Sequence, residues 1–162
     1  MNGQKIVDTA RAEIGQHDGA NHDNKYGIWF GLNHVQECGE FVSWVYAHSG
    51  FSLGTLDFLK GFASVPFALN HFTKTGEVTH TPQAGDIVIF SWDGHTPNHV
   101  GIYLSNDANT IHSIDGDTTN PNAPKEGNEG NGGWVQEKSR PIKFVLAYIH
   151  PRVLDSIPKV SI

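Results

Sequence analysis

The apolar pattern of this chain changes period once, at the turn-like segment Pro82-Gln83-Ala84-Gly85, and that change limits the folds open to it. Before it, Ile6, Val7, Ala10 and Ile14 recur at helical spacing over residues 4–14, with Gly15 as a stop. Phe41, Val42, Val45 and Tyr46 form a second stripe over residues 38–48, which Gly50 can cap. Residues 51–76 predict one or two short helices, with Pro66 in a first turn. After the turn the apolar runs are short and rich in β-branched and aromatic residues: 86–92, 99–104, 110–114, 134–136 and 144–149. Helices first and strands after is the order of an α+β domain, with N-terminal helices packed on an antiparallel sheet of about five to six strands. The 162 residues suffice for one domain, expected over 1–151, with a short C-terminal tail over 152–162.

Composition then removes several functional classes. One cysteine, Cys38, excludes an intramolecular disulfide and any multi-cysteine zinc site. Eleven basic residues against seventeen acidic give a formal charge of −6, which argues against a nucleic-acid partner. No apolar run approaches the roughly 18–20 residues of a membrane span, so no membrane partner is expected. The N-terminal residues lack the charged, apolar and small-residue regions of a secretory signal, so the expectation is a protein made without one. No phosphate-binding glycine loop and no G-x-S-x-G nucleophile turn is present.

What remains is the chemistry of Cys38 and the histidines. A lone cysteine is most simply a small buried hydrophobe. Cys38, however, stands at the start of an amphipathic helix, where the peptide dipoles favour a thiolate, so a lowered thiol pKa is expected. A cysteine nucleophile needs an imidazole in reach and a third group to orient it. Of ten histidines, His99 opens a strand directly after the polar stretch Asp93-Gly94-His95-Thr96-Pro97-Asn98. Trp92, just before that stretch, and Asn98, its last residue, are candidate substrate-binding residues. Asp115 ends the next strand and can face His99 across an antiparallel pair, although Asp115-Gly116-Asp117 also reads as ordinary turn chemistry. His17, His22 and His34 lie with Asp18 and Asp23 in one polar region but form no His-Glu-x-x-His motif. Residues 16–24 do not give the ligand alternation of a calcium loop, so no metal is assigned and calcium stays a minor alternative. Residues 120–133, rich in Asn, Gly and Pro, are a candidate mobile rim of a substrate groove, and Trp134 either packs in the core or stacks on a ligand.

Four blocks carry a family resemblance. Residues 24–31, Asn-Lys-Tyr-Gly-Ile-Trp-Phe-Gly, are similar to a Tyr-Gly-x-Trp-Tyr-Gly element. Cys38-Gly39-Glu40-Phe41-Val42-Ser43-Trp44 is similar to a nucleophile helix that usually reads Trp-Cys-Ala-x-Phe-Val-Ser-Trp. Gly85-Asp86-Ile87-Val88-Ile89-Phe90 with Asn98-His99-Val100-Gly101-Ile102 resembles a Gly-Asp-x-x-x-Phe and His-Val-Gly-Ile pair of strands, and Ile114-Asp115-Gly116-Asp117-Thr118 resembles Ile-Glu-Gly-Asn-Thr. In this order they resemble the CHAP amidases and endopeptidases, relatives of the NlpC/P60 group with a papain-like fold. The resemblance implies Cys38 as nucleophile, His99 as general base, Asp115 in the place of the family glutamate and Tyr26 near the oxyanion site. It implies no cofactor and peptidoglycan as substrate, cut in the stem peptide, the cross-bridge or the sugar–peptide junction. A small-conjugate amidase of the glutathionylspermidine kind and a non-catalytic binding module are the alternatives. Without a signal, access to the wall would come by phage-type release, by injection as a toxin with a cognate immunity protein, or as part of a larger exported protein. Two residues depart from the pattern: Glu37 replaces the usual Trp and Gly39 the usual Ala. An inward Glu37 would raise the thiol pKa and suit a cationic substrate group.

Overall fold

The computed structural model describes residues 2–120, 122 and 132–154. Most of the candidate rim 120–133, and the tail from residue 155, lie outside the described residues.

Four helices precede the sheet: α1 (Asn2–Ala12), α2 (Lys25–Phe30), α3 (Cys38–His48) and α4 (Val65–Lys74). Their starts follow local chemistry. The Asn24 side chain accepts the Gly27 amide at the head of α2, and the Ser64 hydroxyl accepts the Phe67 amide at the head of α4, where Pro66 sits in the first turn. The helix expected at 4–14 begins and ends two residues earlier, a shift of the kind helix ends allow.

Six strands follow: β1 (Val78–Thr79), β2 (Ile87–Phe90), β3 (His99–Asn106), β4 (Thr110–Thr118), β5 (Trp134–Pro141) and β6 (Val145–Ile149). Their spatial order is β1-β6-β2-β3-β4-β5, and every pairing is antiparallel. The α+β fold is therefore as expected, but β4 and β5 run further than their apolar runs. The polar stretch Gln136-Glu137-Lys138-Ser139 is held in β5 by ladder pairing to β4 and alternates half-buried and exposed positions. The two-residue β1 was invisible in the sequence because it is too short to show a period.

Strand alternation divides the core between the two faces of the sheet. Ile87, Ile89, Val100, Ile102 and Ile114 pack with Phe41, Val42, Val45 and Tyr46 of α3. Val88, Phe90, Tyr103 and Ile111 form the second cluster, covered by Trp92, Phe144, Val145 and Tyr148. Leu154, beyond the last strand, joins the first cluster. Among the described residues no helix is long and apolar enough to cross a membrane. Because neighbouring strands run antiparallel, the start of β3 and the end of β4 fall at one end of the sheet, and α3 packs on both strands.

Candidate active site

Cys38 is the first residue of α3 and is buried. The first intrahelical bond runs from the Phe41 amide to the Glu37 carbonyl, so the amides of Cys38 and Gly39 precede the ladder. Gly39 departs from the family's Ala for a steric reason: a Cβ there would lie 2.6 Å from the Ala63 carbonyl oxygen and 2.9 Å from that of Phe62. That neighbouring backbone is fixed by Ser43, whose hydroxyl accepts the Phe62 amide at 3.0 Å. The head of α3 is thus locked against residues 61–63.

His99 opens β3 and is 1% exposed; Asp115, near the end of β4, is fully buried. His99 Nε2 meets Asp115 Oδ2 at 3.2 Å, the cross-strand approach expected from the sequence. Gly101 makes room for it. The β3–β4 register pairs Ile102 with Ile114, which sets Gly101 beside Asp115, and a Cβ on Gly101 would fall 1.9 Å from Asp115 Oδ1. The His99 ring stacks on Phe90 and Trp92, with centroids 6.0 Å from each. Trp92 therefore covers the imidazole, while Asn98 shapes the turn before it: its side-chain oxygen accepts the Trp92 amide at 3.0 Å.

The sequence did not single out Arg140 of β5. Its guanidinium donates to the same Asp115 Oδ2 and lies over the rings of Phe90 and Trp92, 5.0 and 5.7 Å from their centroids. Burial pushes the Asp115 carboxyl up, but Arg140 and then His99 pull it down further, to about 2. Asp115 is a carboxylate at any physiological pH. Within Lys138-Ser139-Arg140-Pro141 nothing distinguishes Arg140; the β4–β5 ladder sets it opposite Ile111, and its long side chain runs along that face to Asp115, which is itself paired with Gln136.

Tyr26 is buried and its hydroxyl donates to Glu13 Oε2 at 2.7 Å, so its single proton is engaged there. One expectation is corrected. The Cys38 thiol is not lowered by its helix. Burial first, then the charges of Asp117, Glu40 and Glu37, push its pKa well above the ordinary value. The helix dipole is worth little against a desolvated thiol among three carboxyls. Glu37 does point inward: it is 1% exposed, and its Oε1 accepts the Asp117 amide at 3.0 Å. Burial, with Asp117 and Asp18 nearby, pushes its carboxyl up to about 9. Asp117 accepts the amides of Gly132 and Gly133, at 3.5 and 3.3 Å, and is pushed by burial to about 6. It is close enough to Cys38 and to His99 to act electrostatically on both.

A direct consequence concerns thiol reactivity. Wild-type Cys38 should alkylate slowly with iodoacetamide at pH 7, and the rate should climb only in alkaline solution. Asp117→Asn keeps the acceptor oxygen for the two glycine amides and removes the foremost charge acting on the thiol. Each unit by which the thiol pKa falls gives about tenfold more thiolate, so labelling near neutrality should rise several-fold. Equal rates in the two proteins would mean that Asp117 does not act on the thiol.

Trp134 neither enters the core nor stands free: it is half-buried and stacks on His17 at 4.6 Å. Asp18 and His22 of the polar loop do meet, and they meet Glu37, which the sequence had not grouped with them.

A helix with a cysteine at its head, packed on the antiparallel strands that carry a buried His–Asp pair, is the layout of a papain-like α+β domain. The chain belongs to the CHAP-domain family, whose model matches residues 28–117, more than half of its length. CHAP domains are typically amidases or peptidases, and the family points to hydrolysis of peptidoglycan. No curated protein matches the chain.

Proposed function

We propose that the chain is a thiol hydrolase that cleaves an amide bond in peptidoglycan, with Cys38 as nucleophile, His99 as general base and acid, and Asp115 as the group orienting His99. The observation that carries this reading is the fully buried His99–Asp115 contact, neutralised by Arg140 from the next strand. Burying a histidine, a carboxylate and an arginine together is costly, and such sets cluster at functional sites.

The roles follow from the contacts. The Asp115 carboxylate accepts from Nε2 of His99, so that nitrogen carries the proton and Nδ1 is left as the base. With its pKa raised, the thiol rests protonated. Proton transfer from Sγ to Nδ1 then accompanies attack on the carbonyl rather than preceding it. As imidazolium, His99 is held by Asp115 on one side and sits within the field of Asp117. The amides of Cys38 and Gly39, ahead of the helical ladder, are the donors nearest the sulfur for the oxyanion. His99 returns the proton to the leaving amine, and water, activated by the same imidazole, hydrolyses the thioester.

The test is mass spectrometry of purified peptidoglycan after digestion with wild type and with Cys38→Ala. Defined fragments released by the wild type alone are expected, and their masses name the bond. No release by either protein, across walls of different cross-link chemistry, overturns the reading in favour of a small-conjugate amidase or a binding module.

A further inference from the structure

The loop ahead of α2 carries a second constellation. A short 3-10 turn, Ala20–His22, brings His22 back over Asp18, with His22 Nδ1 2.9 Å from Asp18 Oδ2. The Asp18 amide is tied to the Gly133 carbonyl at 2.8 Å, so this loop is pinned beside the Asp117 end of β4. Glu37, the residue before Cys38, reaches the same place from the head of α3. One ligand atom from each of Asp18, His22 and Glu37 lies within 4.8 Å of the other two.

Two further features point to a missing positive partner. Asp18 Oδ1 and Glu37 Oε2 are both buried and accept no hydrogen bond from any described residue. Glu37 as a whole is 99% removed from solvent. A buried carboxyl oxygen left without a partner costs about 1–3 kcal/mol, and two such groups brought together repel once both are ionised. Asp18 and His22 also line an open cavity of about 410 Å³, walled by Gly19, Asn21, Gly132 and Gly133, which gives an entering ion and its waters a path.

We propose that Asp18, His22 and Glu37 form a binding site for a divalent first-row transition-metal cation of the Zn²⁺ type. One imidazole nitrogen with two carboxylate oxygens is a borderline donor set, whereas Ca²⁺ and Mg²⁺ favour oxygen alone. Bonds of about 2.0–2.2 Å set tetrahedral ligands about 3.4 Å apart, so the three groups close by roughly 1 Å around the ion. His22, half-exposed on its loop, is the group free to make that movement. Three protein ligands leave a fourth position for water on the cavity side. The ion would join the loop to the residue preceding Cys38. Binding is independent of the hydrolysis proposed above, because Cys38→Ala leaves all three ligands in place.

Isothermal titration calorimetry of the full chain with Zn²⁺, and separately with Ca²⁺, tests this. One Zn²⁺ per chain is expected, with micromolar or tighter affinity, unchanged in Cys38→Ala and weakened more than about tenfold in His22→Ala. His22 is exposed enough for that substitution to leave the fold standing. In parallel, Zn²⁺ should raise the Tm of wild type and not that of His22→Ala. Absence of saturable 1:1 binding, or binding unchanged in His22→Ala, overturns the site. Binding lost in Cys38→Ala would place the ion on the thiol instead, and Ca²⁺ binding tighter than Zn²⁺ would overturn the metal class.

Discussion

Arg140→Met is expected to cost about 3–5 kcal/mol of folding stability at pH 7, the penalty for leaving a buried carboxylate without its cation. Arg140 is 4% exposed and Asp115 is fully buried, so solvent cannot replace the lost charge. Two further nitrogens of the guanidinium, Nε and Nη2, find no acceptor among the described residues, and the group lies over Phe90 and Trp92, so the ring contacts are lost as well. The pH dependence has a definite sign. The Asp115 carboxyl is held below its ordinary value, at about 2. The stability this gives is full above the unfolded value near 3.9 and is lost as pH falls towards 2. Denaturant melts at pH 7 and pH 3 should therefore show a wide gap between wild type and variant that narrows in acid. On the hydrolase reading, Arg140 is a positioning residue acting through Asp115. The variant should then lose kcat with little change in KM, and Arg140→Lys should recover part of it. A variant as stable as wild type at pH 7 would show that the guanidinium is not what keeps Asp115 ionised.

Glu40→Met is expected to act in the opposite direction, raising stability by about 1–3 kcal/mol at pH 8. Glu40 lies in the first turn of α3, where helix amides favour a carboxylate, yet it is fully buried and neither of its side-chain oxygens has a hydrogen-bond partner from another of the described residues. Burial dominates, and with Asp117 and Asp57 it lifts the carboxyl to about 7 against the pull of its own amide. A carboxyl with a raised folded-state pKa weakens the fold as it ionises. The penalty is absent below about pH 4.3, grows through pH 7 and is constant above. Methionine matches the length of Glu, carries no charge and adapts to the space. Thermal melts should thus show a Tm gain that is small near pH 4 and reaches a plateau above pH 7. A gain independent of pH would assign the effect to packing alone.

The periodicity of the chain was enough for α1, α3, α4, the antiparallel sheet and their order, because burial of one face writes a 3.6- or 2-residue repeat directly into the sequence, while the six-residue α2 is too short to show one. Stripes such as Phe41-Val42-Val45-Tyr46 and Ile87-Ile89 are of this kind. The longer extents of β4 and β5 left no such trace, since their added residues face partly into solvent or carry polar side chains. The His99–Asp115 contact was legible for a different reason: adjacent antiparallel strands bring the start of one beside the end of the next.

What the sequence determined by itself was which residue types were available and which elements would carry them. It set one cysteine at a helix head, a histidine opening a strand and an aspartate closing the next. Tertiary structure alone decided the charges. Arg140 reaches Asp115 from a position opposite Ile111, along the face that β4 and β5 share. Tyr26 was committed to Glu13, thirteen residues away, by the packing of α2. The thiol expected to be lowered was raised, because α3 buries its head among Glu37, Glu40 and Asp117. Asp18, His22 and Glu37 met only when the loop closed on β4 and α3. A helix dipole is a local property that can be read from sequence. Desolvation and charge–charge distance belong to the folded arrangement, and inside a protein of low effective dielectric they outweigh it.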